Sequence, residues 1–374
     1  MRKVGDVAKP IDVETLRGWL DAQRPVTVVD VRTDEDRAQW AIPGSLHLNV
    51  YQALRSGQPG RLAEAPFPPD RPIVTVCGAG RMSQTAADFL SERGFEVHSL
   101  TGGMKAWSLA WNTARVPTRD DGITIIQVRR TGKGCLSYVL ISDGDAVVID
   151  ASVPVVVYED IARSHGARIR RVIETHIHAD HLSRARHLAD RVGAELLLPQ
   201  QERVTFPFVA VRDGDEIAAG SGRVTARHTP GHTLESMSYV LKDNAVFTGD
   251  TLFTRGVGRP DLHADVVGAS DRARALFQSL QAIRTLGFDL LVLPAHTSEP
   301  VAFDGRPVMS RMSSIEKWLG EWLGSEASFV DRVVSGLPET PPNFGRIVEL
   351  NERGEVPDVD VTELEAGANR CAVS

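Results

Sequence analysis

The sequence has few cysteines, and their pattern excludes a disulfide-stabilised protein. Cys77, Cys135 and Cys371 are the three cysteines among 374 residues, and they form no C-x-x-C pair. An odd number of widely spaced cysteines does not make a disulfide framework. The pattern favours a reducing, cytoplasmic compartment and leaves each thiol free for a chemical role.

Long apolar runs and basic clusters are also missing. The longest apolar stretches, at residues 153–158 and 290–295, are too short to span a bilayer. Residues 1–10 carry charges and no apolar segment, so we expect no signal peptide. The net charge is −7 and no dense run of lysine and arginine occurs. We therefore expect neither a nucleic-acid nor a membrane partner, and a homo-oligomer stays compatible with the sequence.

The length and composition are those of an ordinary globular chain with more than one domain. Apolar residues make up 42% of the sequence and charged residues 24%. The segment R-V-P-T-R-D-D-G at residues 115–122 combines proline, glycine and charges between two patterned regions, as a linker does. We therefore place a boundary near residue 118 and predict domains at 1–117 and 118–374.

Strands and a helix alternate in the first region. Residues 26–31, 73–76 and 97–100 are rich in β-branched side chains, as in strands buried on both faces. Residues 83–93 have helical spacing, and Gly94 fits a helix end. This order predicts a small α/β domain with a parallel sheet.

The second region predicts a larger α/β domain with two sheets and helices outside them. It opens with consecutive strands, continues with alternating helices and strands, and ends in a helical stretch at 310–334. The predicted strands are 123–128, 137–141, 146–149, 172–174, 195–198, 224–227, 237–241, 245–247 and 290–293.

The segment T-H-I-H-A-D-H at residues 175–181 is the most informative part of the chain. Three histidines and one aspartate fall within six residues directly after an apolar strand. The chain turns at a strand end, so alternate side chains can converge on one point. Imidazole and carboxylate together suit zinc, iron or manganese. The alternative is a polar loop of unrelated histidines, which fits poorly because the whole chain has 11.

Three later segments carry further candidate ligands. His232 follows a Pro-Gly turn in T-P-G-H-T, Asp250 follows a predicted strand in F-T-G-D-T, and His296 follows another in P-A-H. Sheets of α/β proteins place their chemistry at strand ends. The four segments therefore predict one metal site.

The ordered series T-H-I-H-A-D-H, G-H-T, T-G-D and P-A-H resembles the metallo-β-lactamase superfamily over residues 122–300. The resemblance implies an αββα sandwich with a metal at one edge. Lactamases, glyoxalase II enzymes and persulfide dioxygenases share these ligands, so the superfamily alone leaves the reaction open.

Two segments resemble persulfide dioxygenases in particular: R-G-V-G-R at 255–259 and A-N-R-C at 368–371. The resemblance implies one Fe(II) per metal domain, held by His176, His232 and Asp250. Two histidines and one carboxylate leave coordination positions open for a persulfide and O2. Zinc has no accessible redox change and could not activate O2.

Further polar residues would surround this triad or hold a second metal. In the glyoxalase II-like branch these residues bind the second metal, and the residue matching Asp250 bridges the two metals. One or two Zn(II) ions are therefore the alternative cofactor. The residues are His178, Asp180, His181 and His296.

Some positions depart from dioxygenases of the mammalian type. Thr297 and Ser298 stand where those enzymes have Asp-Tyr, Val257 replaces a cysteine, and Pro260 replaces a threonine. The changes indicate a more distant branch, whose thiol carrier need not be glutathione.

Other polar residues near these motifs have open or structural roles. Arg259 would contact an anionic substrate or brace its loop against a carboxylate. His228 and His263 match no ligand position, and we expect them to be structural or surface residues.

Cys77 ends the predicted strand I-V-T-V and opens the loop C-G-A-G-R-M-S at 77–83. Backbone N–H groups of this loop, with a helix N-terminus behind them, would cradle an anion and favour a thiolate. Gly78 and Gly80 let the backbone fold closely around the sulfur. Arg81 would bind an anionic donor such as thiosulfate. A buried, inert cysteine is the alternative.

The segments D-V-R at 30–32, I-P-G-S at 42–45, the Cys77 loop and T-G-G-M-K-A-W at 101–107 resemble single-domain rhodaneses in their order. The resemblance spans residues 10–115 and implies a sulfurtransferase with a persulfide on Cys77. The substrate would contact Gly78, Ala79, Gly80, Arg81 and Met82. Many rhodanese loops have arginine where Met82 stands, whereas here the arginine is at position 81.

The two halves together predict a bifunctional enzyme of sulfur metabolism. The metal domain would convert a low-molecular-weight persulfide, such as glutathione persulfide, with O2 and water into thiol and sulfite. The rhodanese domain would move sulfur between thiosulfate, sulfite and a thiol acceptor. Two alternatives stay open: a dinuclear zinc thioester hydrolase, with a metal-bound hydroxide as nucleophile, and a rhodanese module that senses or docks persulfide. Cys135 is expected to be structural, and the spacing assigns Cys371 no role.

Overall fold

The computed structural model describes residues 8–262, 266–358, 360–367 and 369–373. His263 and Ala368, which were named above, lie outside the described residues. Secondary structure alternates throughout, and two α/β units follow each other along the chain.

The first unit has a five-stranded parallel sheet in the order β1-β5-β4-β2-β3. The apolar strands β2 and β4 lie inside the sheet, and helices cover both faces. The strands are β1 Lys9–Ile11, β2 Thr27–Asp30, β3 Leu46–His47, β4 Ile73–Val76 and β5 Val97–Leu100. The helices are α1 Val13–Asp21, α2 Asp34–Gln39, α3 Tyr51–Arg55, α4 Arg81–Glu92 and α5 Gly103–Trp107, with a 3₁₀ turn at Gly60–Ala63.

The second unit contains two larger sheets and a small one. The first sheet has the order β12-β11-β10-β9-β8-β7-β6, and the second has the order β13-β14-β15-β16-β19-β20. Strands β17, β18 and β21 form the small sheet. The strands of the first sheet are β6 Asn112–Val116, β7 Ile123–Arg129, β8 Leu136–Ser142, β9 Asp145–Ile149, β10 Arg168–Ile173, β11 Glu195–Pro199 and β12 Val209–Val211. The others are β13 Glu216–Ala219, β14 Gly222–His228, β15 Met237–Leu241, β16 Ala245–Gly249, β17 Leu252–Phe253, β18 Gly256–Gly258, β19 Leu291–Pro294, β20 Ser310–Arg311 and β21 Ala372–Val373.

The core of this unit has four layers, as the αββα expectation requires. Side chains of both large sheets, including Tyr138 and Phe247, form one buried cluster between them. A second cluster joins the outer face of the first sheet to α6 and α7, and a third joins the second sheet to α8, α9 and α10. The helices are α6 Val155–Ser164, α7 Ala185–Val192, α8 Val266–Arg284, α9 Met312–Trp322, α10 Glu326–Ser335, α11 Phe344–Arg353 and α12 Thr362–Glu365.

The segment predicted as a linker is part of the second unit. Strand β6 pairs antiparallel with β7 from Asn112 to Val116, so residues 115–122 hold the end of a strand and the following turn. Turn residues and linker residues have the same composition, which is why the pattern placed the boundary near 118. Sheet membership instead divides the chain near residue 111.

The loop at 130–135 packs against the first unit. The Trp40 indole donates to the Thr131 carbonyl at 3.1 Å, and the Arg130 guanidinium donates to the Ser108 carbonyl at 2.9 Å. A Cβ atom on Gly132 would lie 1.8 Å from the Trp107 carbonyl oxygen. The two units therefore share a tight backbone contact at this loop.

Among the described residues, no helix is long and apolar enough to cross a membrane.

We expect Gly132→Ala to lower the free energy of unfolding by about 1–3 kcal/mol, because the added methyl group overlaps the Trp107 backbone. Gly18→Ala is the matched control, since a Cβ there meets nothing within 4 Å and α1 gains about 1 kcal/mol of helix propensity. Urea unfolding measures both. Equal stability of the two variants would contradict the close contact between the units.

Candidate functional site

Three side chains from different segments meet at the strand ends of the second unit. His176 follows β10, His232 lies between β14 and β15, and Asp250 follows β16. Their ligand atoms lie within 4.8 Å of one another, and all three side chains are buried. Oδ2 of Asp250 lies 3.8 Å from Nε2 of His176 and 3.5 Å from Nε2 of His232.

Hydrogen bonds orient both imidazole rings toward Asp250. The Thr175 hydroxyl donates to Asp150 at 2.9 Å, so its oxygen accepts from Nδ1 of His176, also at 2.9 Å. Nδ1 of His232 donates to the Arg259 carbonyl at 2.8 Å. Each ring therefore presents the Nε2 lone pair to the centre, which is the arrangement that a metal ligand needs.

The unsatisfied atoms of the triad fit a cation. Nε2 of His176 and Oδ2 of Asp250 are buried and have no hydrogen-bond partner. Burial and the neighbouring His178 hold the pKa of His176 well below its ordinary value, so the ring is neutral. Burial raises the pKa of Asp250, but His296, His176 and His232 together lower it strongly, so Asp250 is a carboxylate. Imidazole nitrogens and a carboxylate together suit a divalent metal.

His178 lies beside the triad, but its ring faces a different pair of groups. Its ring centroid is 4.2 Å from that of His176, while its Nε2 lies 3.0 Å from Glu174 and 3.4 Å from Asp150. Burial lowers the pKa of His178, but Glu174 and Asp150 raise it well above the ordinary value. Neither ring nitrogen of His178 has a hydrogen-bond partner, and the ring forms a further group of potential metal ligands with Glu174 and Asp150. The structure therefore separates His178 from the three converging side chains.

A second group of potential ligands adjoins the triad: Cys135, Asp180, His181 and His296. Nε2 of His296 lies 2.7 Å from Asp180, and its Nδ1 lies 2.5 Å from Asp250, so this ring joins the two groups. The Cys135 sulfur lies 3.2 Å from Oδ2 of Asp180. Burial and Asp180 raise the pKa of Cys135, but His181 and His296 lower it more, to about 7.

The last described residues complete this second group. The Asn369 amide donates to Oδ2 of Asp180 at 3.0 Å. Cys371 lies within 4.8 Å of ligand atoms of Asp250 and His296. Glu365 forms a buried 2.8 Å ion pair with Arg130 and accepts from the backbone N–H of Leu182 at 2.8 Å. The carboxyl-terminal segment is therefore part of the site.

The sequence interpretation missed several of these residues. Cys135 was expected to be structural, yet its sulfur faces Asp180. Glu174 and Asp150 were not considered, although Asp150 follows the apolar strand β9 as the other candidates follow theirs. That shared position at a strand end was the signal available for Asp150.

Of the two roles considered for Arg259, the structure supports bracing of its loop against a carboxylate. Its side chain is buried, and its guanidinium donates twice to Asp261 at 2.7 Å. Its remaining N–H groups donate to the carbonyls of Pro338, Glu339 and Arg370. Every donor is therefore used, and none is left for an anionic substrate. His228, expected to be a structural or surface residue, is exposed, and its ring contacts the Leu234 carbonyl at 2.8 Å.

A cavity of about 500 Å³ opens beside His232. Ile177, Leu262 and Val348 give it an apolar wall, and the charged lining includes Arg203 and Glu235. We call this the His232-side cavity. It offers room for an organic molecule directly next to the triad.

Cys77 lies between β4 and α4 in the first unit. Its sulfur accepts the Gly80 backbone N–H at 3.1 Å and contacts the Ser83 hydroxyl at 3.4 Å. Gly80 has a φ of +92°, and a Cβ there would lie 3.0 Å from the Gly102 nitrogen, so the loop requires glycine. The thiol is buried beneath a loop in which Gly78 and Ala79 are exposed.

Arg81 and Met82 differ in their surroundings. Arg81 begins α4 and is exposed, whereas Met82 packs against the apolar cluster of the first unit. The cation beside the Cys77 loop is therefore at position 81, and position 82 serves packing.

Comparison with known proteins assigns families to both units. Residues 12–110 match the rhodanese-like domain, and residues 130–296 match the metallo-beta-lactamase superfamily. A hydroxyacylglutathione hydrolase of Anaeromyxobacter dehalogenans is 30% identical over 201 residues, which cover 51% of this chain and 76% of that protein. A probable metallo-hydrolase of Burkholderia pseudomallei is 34% identical over 163 residues, or 36% of this chain and 54% of that protein. A hydroxyacylglutathione hydrolase of Brucella anthropi is 35% identical over 155 residues, which cover 41% of this chain and 53% of that protein. The chain thus spans about half the length of the last two relatives.

Solved structures are similar to the larger part of this chain. A metallo-beta-lactamase from Staphylococcus aureus subsp. aureus COL has a TM-score of 0.58 and 25% identity, covering 63% of this chain and 74% of that one. ETHE1 from Myxococcus xanthus has a TM-score of 0.52 and 27% identity, covering 63% of this chain and 98% of that one. The two family matches and the sheets of the two units confirm the predicted α/β fold and the order of the two domains. The chain belongs to the metallo-beta-lactamase superfamily and carries a rhodanese-like domain ahead of its metallo-beta-lactamase domain.

Proposed function

We propose that the metallo-beta-lactamase domain oxidises a low-molecular-weight thiol persulfide and that the rhodanese domain transfers sulfur through Cys77. The observation that carries the proposal is the position of His178. The ligand atoms of two histidines and one carboxylate, His176, His232 and Asp250, lie within 4.8 Å of one another, whereas His178 lies outside this group, beside Glu174 and Asp150. The resemblance to persulfide dioxygenases and the similarity to ETHE1 from M. xanthus support the same reading.

His176, His232 and Asp250 would hold one Fe(II), which when bound supplies reversible redox chemistry and open coordination positions for a persulfide and O2. The overall reaction balances when one persulfide, one O2 and one water give one thiol, one sulfite and two protons. The sulfane sulfur is oxidised and O2 is reduced, so no further reductant is needed.

The chain's own residues bind the substrate and keep water away. The apolar wall of the His232-side cavity would hold the organic part of the persulfide, and its charges of both signs suit a zwitterionic thiol such as glutathione. Thr175 and the Arg259 carbonyl fix the two imidazole rings. The triad is buried, which strengthens its electrostatic interactions with the reacting sulfur.

The Cys77 loop supports sulfur transfer. The Gly80 N–H and the start of α4 stabilise negative charge on the sulfur, and exposed Arg81 lies where an anionic donor would approach. Thiosulfate or sulfite and a thiol acceptor would be the partners. Attack of the Cys77 thiolate on the sulfane sulfur of thiosulfate would release sulfite, and the acceptor thiolate would then take that sulfur.

A zinc-dependent thioester hydrolase is the second candidate. The observations that favour it are the grouping of Asp180, His181 and His296 beside Asp250 and the similarity to hydroxyacylglutathione hydrolases. This function needs a second metal at that group. The rhodanese domain would then sense or dock persulfide.

We expect anaerobically Fe(II)-loaded protein to consume O2 and release sulfite in equal amounts when given glutathione persulfide. His232→Ala should lower this rate at least 100-fold, since it removes a ligand, whereas the exposed His228→Ala should leave it unchanged. An oxygen electrode measures the O2 consumed, and a sulfite assay measures the sulfite released. Absence of uptake with several persulfides, together with thioester cleavage by zinc-loaded protein, would favour the hydrolase.

The number of bound metal ions distinguishes the proposed persulfide dioxygenase from the thioester hydrolase, and this measurement needs no catalytic activity. After equilibration with Fe(II) and desalting, we expect one ion per chain, lost in Asp250→Ala and retained in His178→Gln. The reason is that His178 contacts Glu174 rather than the converging atoms. Metal analysis with a parallel thermal-unfolding measurement checks this. Two ions per chain, with loss of one in His178→Gln, would contradict the mononuclear site.

Cys77→Ser should abolish thiosulfate-to-thiol sulfur transfer and leave persulfide oxidation intact, since the two reactions use different domains. Met82→Ala serves as the matched control in the same loop, because Met82 packs against the domain core. Transfer is measured by sulfite release from thiosulfate. If Cys77→Ser still transferred sulfur at an unchanged rate, Cys77 would not be the sulfur carrier. The sensing or docking role would then be the one left for the rhodanese domain.

A further inference from the structure

A separate cavity of about 320 Å³ lies on the His296 side of the candidate metal centre. It shares no lining residue with the His232-side cavity. His296 and Asn369 line it, and these residues contact Asp250 and Asp180 respectively. We call it the His296-side cavity. Its inner end is therefore one side chain away from the triad.

A buried arginine with an unused donor lines this cavity. The Arg129 side chain is 1% exposed, and its Nε donates to Asn112 at 2.8 Å. Nη1 donates to the Arg306 carbonyl, while Nη2 has no hydrogen-bond partner. A buried donor without an acceptor is costly, so a ligand that supplies an acceptor is favoured there.

The charge of the lining favours an anion. Arg129, Arg255 and Arg306 are opposed by Glu299 and Asp304, which leaves one excess positive charge without counting His296. Arg255 lies 3.7 Å from Glu299, and both are strongly exposed, so water weakens that pair. Asp304 lies 3.6 Å from Nη1 of Arg129 and leaves Nη2 free.

The outer wall of the cavity rests on the rhodanese domain. The Phe303 ring packs on Trp107, and the Gln23 amide donates to the Phe303 carbonyl. Phe303 belongs to the loop that supplies residues 297–302, 304 and 306–308 to the cavity lining. The cavity thus connects the edge of the metal centre with the boundary between the domains.

We propose that the His296-side cavity binds a small sulfur oxyanion, sulfite or thiosulfate. This inference rests on the proposed function, in which sulfite is the product of one domain and a substrate or product of the other. The guanidinium of Arg129 presents donors with the planar geometry that oxyanions accept. The organic persulfide and the inorganic anion would then use different openings, and Arg129 would be a binding residue for the anion.

Calorimetric titration tests this on the full-length chain with Cys77→Ser, which prevents sulfur transfer during the measurement. Sulfite and thiosulfate are titrated anaerobically into zinc-loaded protein, which has no O2 chemistry, and into chelator-treated protein. We expect Arg129→Gln to weaken binding of the anion at least tenfold with and without metal. Arg170→Gln, an exposed arginine paired with Asp145 on the outer surface, should change nothing.

A second variant keeps the test decisive if Arg129→Gln folds poorly. The double variant Arg255→Gln/Arg306→Gln removes two exposed guanidinium groups of the same cavity and should weaken binding several-fold. Arg129-dependent binding of sulfite would support the inference and identify the anion that both proposed reactions share. Arg129-dependent binding of thiosulfate would also support it and identify the anion that only the rhodanese reaction uses.

Affinities that are unchanged in Arg129→Gln and in the double variant would overturn the inference, as would loss of all binding on metal removal. The proposed function is judged separately by O2 uptake of Fe(II)-loaded wild-type protein. A chain that oxidises persulfide but binds sulfite independently of Arg129 would retain the function and lose this site.

Discussion

The buried negative charge of Asp250 is the constraint on which the site depends. A carboxylate removed from water needs compensating positive charge or hydrogen bonds. Here the rings of His176, His232 and His296 surround it, and each ring is held by another group. The Arg259 loop supplies one of these groups and is itself fixed by Asp261. Moving any part of this network would leave a buried charge unpaired.

The same need for compensation ties the two domains together. Arg130 is buried at the contact with the rhodanese domain, where it donates to Ser108 and pairs with Glu365. Breaking such a buried pair costs about 3–5 kcal/mol. Glu365 also holds the backbone next to His181, so the domain contact and the metal centre share one ion pair. The rhodanese domain is thus part of the structural support of the neighbouring site.

Local patterns predicted the parts of this structure that depend on neighbours in sequence. The strands around residues 73–76 and 237–241 match β4 and β15, because an apolar, β-branched run specifies a buried strand by itself. The converging positions of His176, His232 and Asp250 followed from strand ends and from family motifs. Cys135 and Glu365 could not be placed in this way, since their partners lie 45 and 235 residues away in sequence. The strand β6 was also missed, because its polar residues resemble a linker until β7 pairs with it.

The order in which the chain is made has a consequence for the assembly of the site. Asn369 and Cys371 contact the second group of ligands, and β21 pairs with β18 beside Arg259. During synthesis at the ribosome, His176, His232 and Asp250 emerge long before these residues exist. Until they do, Asp180 lacks its contact with Asn369 and the small sheet lacks β21. The full set of contacts at the second group can therefore form only after the carboxyl-terminal segment has been made.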